Sequence, residues 1–206
     1  MKMRLTSVLV LVFALAVCAP ASASIIYSNG PINGTLDAYS FWGRYGYAVA
    51  DSFVSAGPAT VSGFDAGIWV SPGDTPTTFT WTILTGGPSW NGGTTVASGN
   101  ATWSNILWGQ YPTIYIYSST VSGLDVAIGA GTYWLELSKG SSVEEKNVSW
   151  DENDGPSTAY QYTGTSTQIG SEAFTVYGTP VPVPPSALLL GSGLLGLGGW
   201  RRLRKS

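Results

Sequence analysis

Histidine and cysteine are the residues that this sequence most lacks. The 206-residue chain contains no histidine and a single cysteine, Cys18, near its start. Residues 24–178 therefore cannot form a Ser-His-Asp or Cys-His nucleophile system, and they cannot form a zinc site that depends on His or Cys ligands. Disulfide bonds are excluded as well, so a domain formed by these residues must be stabilised by its apolar core.

Basic residues are almost as scarce between the two ends of the chain. Residues 24–178 hold all twelve acidic residues but only Arg44, Lys139 and Lys146 among the basic ones, which gives them a net charge of −9. A domain so acidic repels phosphate backbones, so the composition predicts that nucleic acid is not a partner.

The first 23 residues have the three parts of a secretory leader. Lys2 and Arg4 precede an apolar run over residues 7–17, and Ala21 and Ala23 supply the small residues of a signal-peptidase cleavage site. This order predicts a signal peptide at residues 1–23. One alternative stays open, because residues 15–18 also read as a lipobox, in which Cys18 would be acylated and the protein would be a lipoprotein.

Proline, leucine and glycine dominate the last 28 residues, 179–206. Pro182, Val183 and Pro184 precede an uncharged Leu/Gly-rich stretch that predicts a short transmembrane helix at residues 186–200. A basic cluster at residues 201–205 follows, in which the stop-transfer residues are Arg201, Arg202, Arg204 and Lys205. Positive charge beside a membrane span stays on the cytoplasmic side, so we expect the preceding domain to lie outside the cytoplasm.

These C-terminal features resemble the PEP-CTERM sorting tail of exported bacterial proteins, with Val183 in place of the glutamate of the family's Pro-Glu-Pro motif. The resemblance implies that an exosortase-type membrane protease recognises the tail and cuts near Pro182–Pro184. It further implies that the protein is transiently anchored in the membrane and then reaches the cell surface or the extracellular polysaccharide matrix. An ordinary short membrane anchor is the alternative.

Between these ends the hydrophobic pattern has a period of two. In Thr78-Phe79-Thr80-Trp81-Thr82-Ile83 the threonines and the apolar residues occupy opposite faces, as a half-buried strand requires. Similar strands are predicted at residues 48–55, 59–70, 94–98, 114–117, 131–137, 160–163 and 172–177, with Gly/Pro/Asn/Asp turns between several of them. The pattern predicts an all-β fold for residues 24–178, namely an antiparallel β-sandwich or jelly-roll-like domain.

Aromatic residues are the strongest candidates for ligand contact. Sugars dock on aromatic faces because their C–H faces are apolar while their edges form hydrogen bonds. Six rings lie in or beside predicted loops and are therefore the candidate glycan contacts: Trp42, Tyr45, Trp90, Trp103, Trp108 and Trp150. Trp81 and Tyr133 lie on alternating strands and are predicted to be in the core. The alternative is that most aromatic residues simply fill the core and pair across strands.

One polar segment suggests a metal ion. Asp151, Asn153 and Asp154 offer the oxygen ligands that Ca²⁺ prefers, although the segment lacks the EF-hand spacing. A structural Ca²⁺ is therefore the one cofactor to consider here, and a solvated turn is the alternative.

Catalysis would have to rely on carboxylates. The available glutamates are Glu136, Glu144, Glu145, Glu152 and Glu172. A secreted glycan hydrolase built on two of them is the second hypothesis for function. The leading hypothesis is a noncatalytic exported surface or matrix protein that contacts glycans.

Overall fold

The computed structural model describes residues 24–35 and 37–181. The predicted signal peptide with Ala21, Ala23 and Cys18 lies outside these residues, as do the sorting motif Pro182–Pro184, the helix at residues 186–200 and the basic cluster at residues 201–205. The described chain forms two antiparallel sheets and almost no helix, so the prediction of an all-β, sandwich-like fold is confirmed.

The described residues contain fourteen strands and two short 3₁₀ turns, Gly43–Tyr45 and Ser89–Asn91. In chain order the strands are β1 (Ser24–Ser28), β2 (Ala38–Ser40), β3 (Ala48–Ser55), β4 (Ala59–Val70), β5 (Thr78–Thr85), β6 (Thr94–Thr102), β7 (Ser104–Gln110), β8 (Tyr115–Ile128), β9 (Gly131–Ser138), β10 (Val148–Asn153), β11 (Ala159–Tyr162), β12 (Ser166–Ile169), β13 (Ser171–Glu172) and β14 (Phe174–Pro180).

The larger sheet is organised around β4. One edge of β4 pairs with β8 along its whole length, and β7 pairs with the far edge of β8. The other edge of β4 pairs with β14 over residues 59–66 and with β10 over residues 68–70. Strand β1 lies beyond β14, β2 lies beyond the first part of β10, and β13 pairs with the last part of β10. The second sheet has the strand order β12-β11-β3-β9-β5-β6.

The core lies between the two sheets and contains the inward face of each. Phe79, Trp81 and Ile83 of β5 are buried there, and Tyr133 of β9 is buried beside them, as the alternation predicts. The larger sheet contributes residues such as Val61 and Ile68. Each fully buried side chain of this size stabilises the fold by about 1.5–3 kcal/mol, so the facing apolar surfaces hold the two sheets together.

A β-bulge in β4 keeps that strand's apolar residues on one side. Val61 points into the core, and the register with β8 shifts between Val61 and Gly63. After the shift the apolar side chains that are buried are even-numbered, beginning with Phe64 and Ala66. The bulge inserts one residue and thereby restores the inward face that strict alternation would have reversed.

Sequence patterning predicted some strands accurately and missed others. The observed bounds of β3 and β4 match the prediction, whereas β1, β2, β7, β10 and β12 were not predicted. Strand β10 is the important error, because its residues 150–153 were interpreted as part of a polar loop that either binds Ca²⁺ or forms a solvated turn. It instead pairs with β4 on one edge and with β2 on the other, and Trp150 and Asp151 have no exposed surface.

Candidate functional site

Two of the six candidate glycan contacts are buried, so the prediction of their exposure is wrong. Trp103 is the single residue between β6 of one sheet and β7 of the other, and its side chain enters the core. Its ring stacks on Phe79 with centroids 3.8 Å apart and an interplanar angle of 9°. Trp150 is fully buried, and its Nε1 donates a hydrogen bond to the Ala173 carbonyl at 2.9 Å.

Trp108 has the placement expected of a ligand contact. The register between β7 and β8 shifts between Leu107 and Gly109, so Trp108 is the bulged residue of an edge strand. Bulges re-aim side chains, and this one directs the indole across the outer face of the larger sheet. The ring packs close to Gly34, where an added Cβ would lie 3.0 Å from Cζ3, and it is 46% exposed.

A cavity of about 230 Å³ lies beside this ring, and we call it the Trp108 pocket. Its lining combines the indole with the polar residues Asp65, Ser118 and Thr175 from three adjacent strands, and Gly30 and Pro31 also line it. Aromatic and hydrogen-bonding groups therefore face the same small space, which is the combination that sugar recognition needs.

The carboxylate of Asp65 is held by a neighbouring phenol. Tyr177 Oη donates a hydrogen bond to Asp65 Oδ2 at 2.8 Å. Burial, followed by the hydrogen bond and charge of Asp65, raises the pKa of Tyr177 to about 12. The phenol therefore stays protonated and donates to Asp65 throughout the physiological range, so it orients the carboxylate beside the pocket.

Trp42 and Tyr45 form a second aromatic surface at the Gly43–Tyr45 turn. Their rings meet edge to face with centroids 5.1 Å apart, and Tyr45 is 60% exposed. Arg44 lies over the Trp42 ring, with Cζ 5.7 Å from its centroid, in a cation–π arrangement. The adjoining cavity of about 510 Å³ is also lined by Lys139 and Glu145, and we call it the Trp42 pocket. Two of the three basic residues of the acidic domain thus share one cavity.

Trp90 serves a structural contact. Its ring lies 5.6 Å from that of Tyr162, and its Nε1 donates a hydrogen bond to Ser166 Oγ at 3.1 Å. The preceding Ser89 donates from its backbone nitrogen and its hydroxyl to the carboxylate of Glu136, at 2.9 and 3.0 Å. Trp90 and Glu136 therefore attach the Ser89–Asn91 turn to the outer face of the second sheet.

The residues proposed as calcium ligands have separate roles. Asp151 accepts hydrogen bonds from Trp69 Nε1 at 2.6 Å and from the Asn33 backbone nitrogen at 3.0 Å. Asn153 Oδ1 accepts from the Gly155 nitrogen at 2.9 Å, and Asp154 is exposed. Within residues 24–35 and 37–181, no three His, Cys, Asp or Glu side chains are grouped as metal ligands. Asp151 and Asn153 instead hold neighbouring loop segments by hydrogen bonds.

A buried acidic cluster lies at one end of the core. Asp51 has no exposed surface; its Oδ2 accepts from the Glu172 backbone nitrogen at 2.7 Å and from Asn29 Nδ2 at 3.1 Å. Burial raises the pKa of Asp51 to about 6. Glu172 is also fully buried, and burial, together with the charge of Asp51, raises its pKa well above the usual range. Burial likewise raises the pKa of Glu152, which is only half-buried.

This cluster was not predicted from the sequence, although the period-two alternation places both acidic residues on core-facing positions. Asp51 has the same parity as the core residues Val49 and Phe53, and Glu172 has the same parity as Phe174. An acidic residue at a core-facing position of a strand requires a partner or a special role.

No family model matches the chain, and no curated protein matches its sequence. In the part of the chain that the structure describes, no helix is long and apolar enough to cross a membrane.

Proposed function

We propose that this protein is an exported, noncatalytic surface or extracellular-matrix protein whose two-sheet domain contacts polysaccharide at the Trp108 pocket. The observation that carries the proposal is the half-exposed Trp108 ring, which faces Asp65, Ser118 and Thr175 across a small cavity. The ring would stack on the apolar face of a sugar, and the carboxylate and hydroxyls would bond its edge.

The size of the cavity favours a short segment of a chain. At about 230 Å³ it is smaller than the roughly 300–1,000 Å³ typical of pockets for drug-sized ligands. A single sugar ring would occupy it while the rest of the polymer continued across the surface. The Trp42 pocket provides a second contact, and its Arg44 and Lys139 favour a carboxylated sugar over a neutral one.

Binding is tested by pull-down of the purified protein with insoluble bacterial polysaccharides and by a glycan array. We expect Trp108→Ala to lower affinity at least tenfold, and we expect Asp65→Asn to lower it less, because one hydrogen-bond acceptor remains. Glu144→Gln is the matched control, because Glu144 is exposed and lies outside both pockets. Equal binding by Trp108→Ala and the control would refute the Trp108 pocket as the contact.

For export, we propose that signal peptidase removes residues 1–23 and that an exosortase-type protease reads Pro182–Pro184, with the basic cluster as the stop-transfer signal. Replacing Pro182, Val183 and Pro184 with alanine should leave a longer species that stays in the membrane. Mass spectrometry of both termini separates this route from acylation at Cys18, which would add the mass of a lipid. An unchanged mature mass and location would reject the sorting signal.

A carboxylate-dependent glycan hydrolase is the second candidate, because Glu152 and Glu172 stand opposite each other and both have raised pKa values. Glu172 has no exposed surface, so a polymer would reach it only if the sandwich opened. Turnover of a polysaccharide that is lost in Glu152→Gln or Glu172→Gln would favour the hydrolase. Binding that persists in both variants without turnover would favour the noncatalytic protein.

A further inference from the structure

The carboxylates of Glu172 and Glu152 lie on the same face of one strand pair. The two residues stand directly opposite each other in the β10–β13 ladder, and opposed residues in an antiparallel pair have Cβ atoms about 4.5–5.5 Å apart. Trp150, two positions before Glu152, is a core residue, so this face is the inward one. Gly170 leaves room for the Glu152 side chain, because a Cβ there would overlap Glu152 Oε1.

The carboxylate of Glu172 is buried with neither a hydrogen-bond partner nor a positive charge beside it among the described residues. Neither of its oxygens has a hydrogen-bond partner among the described residues, and the side chain is 0% exposed. The charged groups that act on it are all carboxylates: Asp51, Glu152, Asp151 and Asp37. Protonation of Glu172 would remove its charge, but the resulting O–H would still need an acceptor. A buried charge requires a counter-charge with good geometry or a metal ion.

The basic residues of the described chain do not supply that counter-charge. Arg44 and Lys139 line the Trp42 pocket, and Lys146 precedes β10 at the end of the strand opposite to Glu152. Glu152 is six positions after Lys146, which corresponds to about 20 Å of extended chain.

We propose that one Ca²⁺ ion binds at the inward face of the β10–β13 pair, with the carboxylates of Glu172 and Glu152 as its principal ligands. Every donor on this face is an oxygen, which excludes the nitrogen and sulfur ligands that zinc prefers. Ca²⁺ accepts six to eight oxygens in flexible geometry, whereas Mg²⁺ demands a near-ideal octahedron and retains its water. This inference is independent of the glycan proposal and concerns residues other than Asp151, Asn153 and Asp154.

As the side chains are placed, no three carboxylates of the described residues form a metal-ligand group, so the remaining ligands would have to move in from the open side of the site. Tyr39 stands opposite Trp150 in the β2–β10 ladder, and its hydroxyl interacts with the Glu152 carboxylate. Asp37 is exposed and Glu152 is half-buried, so both side chains can rotate toward Glu172 as the ion enters. Asp51 acts as a positioning residue, because its Oδ2 accepts the Glu172 N–H and thereby fixes the backbone that carries the buried ligand.

The test is thermal unfolding of the full-length protein in EGTA, in Ca²⁺ and in Mg²⁺. Ligand at 100 times its Kd should raise the Tm of a domain of this size by roughly 5–10 °C. We expect this rise for the wild type in Ca²⁺, little rise in Mg²⁺, and loss of the rise in Glu172→Gln.

Two matched variants separate the proposed site from general binding to an acidic surface. Asp154→Asn and Glu144→Gln change exposed carboxylates and should keep the full rise. If Glu172→Gln does not fold, Glu152→Gln takes its place, because Glu152 is only half-buried. Tb³⁺ provides a second readout, since Trp150 lies close enough to sensitise its emission. A wild-type Tm that Ca²⁺ leaves unchanged, or an equal rise in all variants, would overturn the proposal.

Discussion

The burial of Trp103 makes a quantitative prediction that separates a core residue from a ligand contact. Its ring stacks on Phe79 at 3.8 Å and meets Phe64 edge to face at 5.9 Å, and only 5% of the residue is exposed. Trp103→Ala removes the indole and leaves a cavity between the sheets. Substitutions of this kind cost about 3–5 kcal/mol, and at about 2–4 °C per kcal/mol the Tm should fall by roughly 6–20 °C.

A second substitution tests the reason for that loss. The Nε1 of Trp103 is buried and has no hydrogen-bond partner among the described residues. Trp103→Phe keeps an aromatic ring beside Phe79 and removes the unpaired N–H, whose burial costs about 1–3 kcal/mol, while it forfeits part of the packed volume. The two effects oppose each other, so we expect a free energy of unfolding within about 1.5 kcal/mol of the wild type.

The assay is urea unfolding followed by far-ultraviolet circular dichroism, which does not depend on the substituted tryptophan. Trp108→Ala is the control, because its ring is 46% exposed and its removal should cost less than Trp103→Ala. A Trp103→Ala protein whose free energy of unfolding lies within about 0.5 kcal/mol of the wild type, the usual range for surface substitutions, would refute the argument from burial. Equal losses in Trp103→Phe and Trp103→Ala would show that stacking is not the stabilising contact.

Two further predictions concern the surface pockets. Arg44→Ala should weaken binding to carboxylated polysaccharides, and the binding that remains should depend less on salt concentration. Lys146→Ala, outside the Trp42 pocket, should change binding little. If the two variants bind equally well in pull-downs at low and at high salt, the prediction is contradicted. Tyr177 should titrate near pH 12 at 295 nm, and Asp65→Asn should lower its pKa toward the ordinary value of 10. Because the folded-state pKa is raised, this contribution to stability is fully present below pH 10 and is lost as the pH rises through about 12. An identical absorbance titration in both proteins would be evidence against the Tyr177–Asp65 contact.

Strand length did not decide which strands were predicted, because the 14-residue β8 was predicted only over residues 114–117 whereas β3 and β4 were predicted along their whole length. Strands β3 and β4 bury one face along their whole length, so their own sequences carry the period-two pattern. Strand β10 is equally buried, but Ser149, Asp151 and Asn153 on its other face are covered by neighbouring segments. Those polar residues resemble a solvated turn until the hydrogen-bond partners from Asn29 and Asn33 are in place.

The candidate site was likewise predicted only in part. Trp42, Tyr45 and Trp108 were recognised as potential contacts because they lie in or beside predicted loops, where aromatic rings can be exposed. Their separation into two pockets depends on strands that are distant along the chain. Asp65, Ser118 and Thr175 converge at Trp108 only because β4, β8 and β14 are neighbours in the larger sheet.

The sequence by itself determined the all-β class, the acidity of the domain, the lack of thiol or imidazole chemistry in residues 24–178, and the burial of Trp81 and Tyr133. These properties follow from composition and from the alternation of adjacent residues, which is local. The tertiary structure alone decided that Trp103 and Trp150 are core residues, that Trp108 is turned outward by a bulge, and that Glu172 is buried opposite Glu152. Each of these depends on which strands become neighbours, and that pairing is set by the packing of the whole core.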